Sequence, residues 1–222
     1  MILRVLSRTH LGLPILAYEF GSHLPITTPR VLILGGVHGD EIEGVVAARA
    51  LLESFLEKFP YRLQVTLIPE LNPEGVLMKT RGNSRGVDLN RNLPTQDWSP
   101  EIKSERYHPG PQPLSEVENK VLVKELDRKP VFILSLHSWK PLLNVNGDCL
   151  PEAQSLAEST GYKIDTEIGY PTPGCLGTYA GLERSLPTLT YEIERGLPLD
   201  QVIQIHVPAI LKMLFTTEAR YP

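Results

Sequence analysis

A histidine and a glutamate three residues apart, His38 and Glu41, follow the apolar run Val31-Leu32-Ile33-Leu34 within Gly35-Gly36-Val37-His38-Gly39-Asp40-Glu41. If that run is a buried strand, both side chains emerge at its carboxyl end, where ligands gather in open α/β sheets. A second histidine, His137, ends another apolar run, Val131 to Leu136. Two imidazoles and a carboxylate are the donor set of a catalytic zinc ion, which takes three protein ligands and keeps a fourth position for water. A further carboxylate, not a ligand, must then accept that water's proton and deliver it to a leaving amine. Glu192, near the end of Leu189-Thr190-Tyr191-Glu192, is the candidate. Each signal taken alone has a plainer explanation. His-x-x-Glu in the first turn of a helix usually faces solvent, and Glu192 by itself reads as a sheet-edge residue paired with Arg195.

The segment Lys79 to Pro94 carries the other half of the chemistry. Arg81, Arg85 and Arg91 alternate there with Asn83, Asn90 and Asn92 in a stretch with little apolar content. Such composition ordinarily marks a solvated, flexible loop. It also supplies the donors that clamp a substrate carboxylate, because guanidinium forks bond carboxylates bidentately. No clear periodicity runs from Lys79 to Pro113, and a loop of that length in a compact domain is usually functional or disordered.

The elements that must hold these residues follow from patterning. Residues 3–7 and 14–20 read as an opening hairpin, and residues 31–35 as a continuous apolar strand. Ile42 to Leu56 carries a helical period that Pro60 ends. Leu63 to Ile68 is the next strand, followed by a turn at Asn72-Pro73-Glu74-Gly75 and then the long loop. Ser115-Glu116-Val117-Glu118 has the form of a capping box, with a helix continuing to about Asp127. Val131 to Leu136 is a strand ending at His137, Pro151 to Thr160 a helix, Pro171 to Gly177 a loop, Leu186 to Ile193 a strand and Leu199 to Phe215 a closing helix. Alternating strands and helices imply one α/β domain over residues 1–222, a mixed and largely parallel sheet with helices on both faces. A chain of 222 residues, 41% hydrophobic and 22% charged, suits one soluble core. A net charge of −4 without a basic cluster argues against nucleic acid or an anionic membrane as partner. No secretion signal or membrane span is visible, and two cysteines, Cys149 and Cys175, fit a reducing compartment, so cytoplasm is expected.

In order and spacing, Gly-Gly-Val-His38-Gly-Asp-Glu41, Asn72-Pro-Glu-Gly75, Gly86-Val-Asp-Leu-Asn-Arg-Asn92, Ser135-Leu-His137 and Thr190-Tyr-Glu192 resemble the zinc carboxypeptidase family. The resemblance implies one zinc ion held by His38, Glu41 and His137, with Glu192 as general base and acid. It implies Asn90 and Arg91 as binders of the substrate's terminal carboxylate, Arg81 as the stabiliser of the oxyanion, and Tyr170 as a mobile tyrosine that caps the substrate. Within the family, Arg81-Gly-Asn-Ser-Arg-Gly-Val-Asp-Leu-Asn-Arg-Asn-Leu-Pro94 and Gly169-Tyr-Pro-Thr-Pro-Gly-Cys-Leu-Gly177 look similar to the murein peptide amidase A group. That narrower resemblance implies hydrolysis of the γ-D-glutamyl to meso-diaminopimelate bond in cell-wall peptides undergoing recycling. Two departures stand out. Ser138-Trp139 replaces the acidic residue and proline that follow the third ligand in those amidases, and Gly177 occupies the region where digestive carboxypeptidases place a selecting side chain. The rival readings are a carboxypeptidase for ordinary peptides, an N-acyl amino acid deacylase of the aspartoacylase or succinylglutamate desuccinylase type, and a module that binds peptide carboxylates without cleaving them. The expected partner is a small peptide substrate with a free carboxylate.

Overall fold

The structure, a computed structural model, describes residues 1–221. Its centre is one eight-stranded mixed sheet built from β1 (Ile2–Arg8), β2 (Pro14–Phe20), β3 (Arg30–Leu34), β4 (Gln64–Ile68), β5 (Phe132–Trp139), β6 (Leu142–Asn146), β7 (Ile164–Asp165) and β8 (Thr188–Glu194), in the order β1-β2-β4-β3-β5-β8-β6-β7. β4, β3, β5 and β8 run parallel, and β2 and β6 flank this quartet antiparallel to it. The helices are α1 (Ile42–Glu57), α2 (Pro73–Met78), α3 (Val117–Leu126), α4 (Leu150–Thr160), α5 (Leu199–Gln201) and α6 (Val207–Arg220).

The central strands are apolar on both faces because both are covered. Val31 and Ile33 of β3 join the core shared with α1, α4 and α6, whereas Leu32 and Leu34 join the opposite core with Val121, Leu122 and Leu126 of α3. Alternate residues of a strand point to opposite faces, so a continuous apolar run serves both layers. Burying each such side chain contributes roughly 1.5–3 kcal/mol, which makes the parallel centre the rigid floor on which the site is built. No helix among the described residues is long and apolar enough to cross a membrane.

Several local expectations are corrected. β5 does not end at Leu136: it continues to Trp139 because β8 runs beside it to the pairs Ser138–Ile193 and Trp139–Glu194, so His137 sits inside a strand. Asn72-Pro73-Glu74-Gly75 opens α2 rather than forming a bare turn, with Asn72 Oδ1 accepting from Gly75 N at 2.9 Å. The capping box is absent. Ser115 Oγ instead donates to Glu116 Oε1 (2.7 Å), and Glu118 accepts from Asn83 Nδ2 (3.4 Å), since the buried asparagines of the long loop claim both residues. That loop is packed, with Leu89 and Leu93 buried and Asn92 Nδ2 donating to the carbonyls of Pro109 (2.7 Å) and Gln112 (2.9 Å). The closing helical region extends to Arg220 and contains a π turn at Val202–His206.

Candidate metal centre

His38 sits in the turn between β3 and α1, and Glu41 occupies the position just before the first residue of α1. The turn is pressed against the start of α2: a Cβ on Gly39 would fall 1.8 Å from the carbonyl carbon of Gly75, so only glycine fits. His137 projects from β5 on the same side. Its Nδ1 lies 2.9 Å from Glu41 Oε2, His38 Nδ1 lies 2.9 Å from Glu41 Oε1, and the two Nδ1 atoms are 3.2 Å apart. One donor atom from each of the three side chains lies within 4.8 Å of the others, and all three residues are buried.

The outer nitrogens decide which protons are present. His38 Nε2 is 3.0 Å from Asp88 Oδ1, and an ionised carboxylate only accepts, so Nε2 carries the hydrogen. His137 Nε2 is likewise placed to donate to Ser135 Oγ at 3.0 Å. Both inner nitrogens face the Glu41 carboxylate, and a divalent ion placed among them would take up the lone pairs that neutral rings turn inward. The 3.2 Å separation of the nitrogens agrees with the edge of roughly 3.3 Å expected for tetrahedral Zn–N bonds of about 2.0–2.1 Å. The residues therefore fit zinc.

Two carboxylates hold this arrangement in place, and neither was assigned a role from sequence. Asp88, fully buried, accepts from His38 Nε2 and from Arg81 Nε (2.8 Å). Burial drives its pKa up, but its hydrogen-bonded partners His38 and the Arg81 guanidinium outweigh burial and hold it well below the usual carboxylate range. A carboxylate on the far nitrogen of a metal-binding histidine fixes the ring's orientation. Glu43, in the first turn of α1, accepts from Ser138 Oγ (2.7 Å) and from Gly196 N (2.6 Å), tying the ends of β5 and β8 to the helix. The only sequence signal for Asp88 was its place inside Val87-Asp88-Leu89-Asn90-Arg91; Glu43 had none.

Glu192 is the register partner of His137 on the neighbouring strand, so the two share a face of the sheet. It is 6% exposed, and its Oε2 has no hydrogen-bond partner. Burial pushes its carboxyl up to about 7, with His137 and Arg81 pulling the other way and Glu41 adding to the rise. The ion pair with Arg195 that its sequence context suggested does not form; the Arg195 guanidinium faces Glu41 (3.6 Å) and Asp40 (3.8 Å).

Arg81, Asn90, Arg91 and Tyr170 line the same cleft as His38, Glu41 and Glu192. Arg81 is pinned by Asp88 and by Glu41 Oε1 (3.1 Å). Asn90 Oδ1 accepts from Leu176 N (2.8 Å), and Arg91 lies beneath the Tyr107 ring, 5.4 Å from its centroid. Tyr170 stands half-exposed between the rings of Trp139 and Tyr107. Beyond Gly177 the wall is polar: a Cβ there would fall 2.3 Å from Asn146 Oδ1, so Asn146, with Asn144 and Thr190, fills the space that a larger residue 177 would occupy. These asparagines belong to β6, a strand the sequence pattern did not reveal.

A model of the zinc carboxypeptidase family matches residues 2–172, a span that contains His38, Glu41 and His137. The chain belongs to the zinc carboxypeptidase family. Murein peptide amidase A of Vibrio campbellii is 30% identical, the match covering 83% of this chain and 77% of that one. Murein peptide amidase A of Escherichia coli K12 is 32% identical over 67% of this chain and 64% of its own length. Among solved structures, murein-tripeptide amidase from Escherichia coli O157 superposes with a TM-score of 0.77 at 24% identity, covering 96% of this chain and 91% of that one. Carboxypeptidase A from Helicoverpa armigera gives 0.78 at 16% identity, over 99% and 68% respectively. As a zinc carboxypeptidase, the protein is a hydrolase of the metallopeptidase type, and the mixed sheet and its helices are those of that fold.

Proposed function

We propose that this zinc carboxypeptidase is an amidase that cleaves the γ-D-glutamyl to meso-diaminopimelate bond of murein tripeptide, as a single catalytic domain holding one zinc ion. The observation that carries the catalytic reading is the unpartnered, buried Glu192 Oε2 beside the converging donor set of His38, Glu41 and His137. Zinc held by those three residues supplies Lewis acidity to a water and to the scissile carbonyl. Glu192 takes a proton from the water as the water's oxygen bonds to the amide carbon, and gives that proton to the nitrogen as the C–N bond breaks. Arg81, aimed by Asp88, meets the negative charge that develops on the carbonyl oxygen. Asn90 and Arg91 hold the carboxylate of the residue that leaves, and Tyr170 covers the cleft from the solvent side.

Two features support the substrate. The relatives bear the name murein peptide amidase A, and the wall of Asn144, Asn146 and Thr190 suits a leaving residue with a polar side-chain end better than an aliphatic or aromatic one. The free thiols of Cys149 and Cys175 accord with action in the cytoplasm on recycled peptides. The test is incubation of zinc-loaded protein with L-Ala-γ-D-Glu-meso-diaminopimelate, hippuryl peptides and N-acetylaspartate in parallel. Mass detection of free diaminopimelate is the expected result, and faster release from a hippuryl peptide or from N-acetylaspartate would replace this reading with a rival.

A further inference from the structure

Four guanidinium groups line the cleft, those of Arg81, Arg91, Arg106 and Arg195. Arg81 is bound on both sides by Asp88 and Glu41, and Arg91 NH1 donates to the carbonyl of Asn90 at 2.6 Å. The other two have no part in the chemistry described above. They come from distant segments, Arg106 from the 3-10 turn Glu105–Tyr107 and Arg195 from the turn after β8, and converge on one acid, Asp40. Arg106 NH2 lies 2.9 Å from Asp40 Oδ2 and Arg195 NH1 lies 3.8 Å from the same oxygen. The carboxylate oxygens nearest Arg195, at 3.6 and 3.8 Å, are beyond hydrogen-bond distance, so its donors are unspent. Its backbone is nonetheless fixed, since Arg195 N donates to Trp139 O at 2.9 Å and the next amide, Gly196 N, to Glu43 at 2.6 Å. Glu41, the other acid near Arg195, is already shared by His38 and Arg81, so the two cations at the mouth of the cleft are matched chiefly by Asp40 and leave a local positive excess.

β8 shows on which side of the reacting bond that excess lies. Thr190 pairs with Asn144 at the asparagine wall, Glu192 follows two residues later, and Arg195 comes three residues further on, past the strand's end. At about 3.3 Å per residue, Arg195 stands roughly 16 Å along the chain from Thr190, at the end of the cleft away from the asparagines. With the leaving residue seated at Asn90, Arg91 and the asparagine wall, the acyl part of the substrate extends toward Arg195 and Arg106. We propose that Arg106 and Arg195 form a second carboxylate subsite, which binds a free carboxylate on the acyl residue adjoining the scissile amide. An acyl residue linked through its side chain, as in a γ-glutamyl peptide, carries such an anion; one linked through its α-carbonyl has a neutral amide in its place. The subsite thus selects side-chain-linked acyl groups, and the proposal rests on the amidase reading for the orientation of the substrate.

The experiment uses the zinc-loaded Glu192→Gln protein, whose slowed turnover leaves binding to be measured, and two peptides that differ in one group: L-Ala-γ-D-Glu-meso-diaminopimelate and its counterpart with the glutamyl α-carboxylate converted to carboxamide. Calorimetric Kd values should favour the carboxylate peptide by about 10- to 100-fold, the range for a hydrogen bond to a charged group. Adding Arg195→Met or Arg106→Met should each collapse that ratio toward one, whereas Arg195→Lys should keep part of it. The preference should also shrink with ionic strength, because both arginines are partly exposed. A ratio near one in the parent protein, or a ratio unchanged by both methionine variants, overturns the subsite. The amidase reading fails separately, by the absence of diaminopimelate release from the protein that retains Glu192.

Discussion

The carboxyl end of the parallel strands and the face under α6 each bury imidazole almost completely: His38 and His137 are 3% and 2% exposed, and His206 is 1% exposed. At the first place, the rings meet Glu41 and Asp88, and their inner nitrogens converge. At the second, His206 Nδ1 is hydrogen-bonded to Tyr191 OH, its other neighbour is the Tyr162 ring, and Nε2 has no partner. Burial is common to both and so cannot mark function. What separates them is the company of carboxylates, which makes the first region a place for a cation and leaves the second a neutral packing element whose pKa burial pushes down to about 4.

The largest expected effect is at the donor set. His137→Ala should abolish both bound zinc and hydrolysis, since two ligands do not hold a catalytic ion; metal analysis of the purified variant that still returned one zinc per chain would contradict the site. Glu192→Gln should separate the two functions. Zinc content should stay at the parent level while turnover falls by about 10²–10⁴-fold, the usual worth of a general base. Undiminished turnover would remove Glu192 from the mechanism. Asp88→Asn probes the carboxylate company itself: it keeps the shape and removes the charge. Zinc affinity should weaken by about 10–100-fold, read by competition with a chelator, and an affinity equal to the parent's would mean that Asp88 serves only packing.

How far the contrast was legible in the sequence follows the same division. His38 and Glu41 stood out because they close an apolar run, and His137 and Glu192 because theirs are similar. The parallel quartet was readable for the same reason, its strands being apolar on both faces. β6 escaped notice: Leu142-Leu143-Asn144-Val145-Asn146 is short, follows Pro141 and shows its asparagines to the cleft, so its alternation imitates a loop. Glu43 and Asp88 act through partners 95 and 50 residues away, Ser138 and His38, and local pattern holds no trace of such pairings. The expected capping box at Ser115 failed because Asn83 and Asn92, distant in sequence, compete for the same groups. Nothing in the local pattern marks His206 as buried, yet at the end of the π turn Val202–His206 it lies inside against Tyr191.

The smallest effect tests the neutral region by pH. His206 titrates near 6.5 in an unfolded chain and about 4 when folded, because burial disfavours the imidazolium. Between those two values the unfolded chain binds the extra proton, so the stability due to neutral His206 is present above about pH 6.5 and is lost as pH falls toward 4. At pH 5 the loss amounts to about 2 kcal/mol relative to pH 7.5. His206→Gln retains an acceptor for the tyrosine and removes the titration. In urea unfolding at pH 7.5 and pH 5, the variant's stability should therefore drop less than the parent's by about that amount, while its zinc content matches the parent's at both pH values. The metal ligands titrate alike in both proteins and cancel from the difference. Equal drops in parent and variant would show that His206 titrates normally, and that an imidazole buried without charged company is not held neutral by this fold.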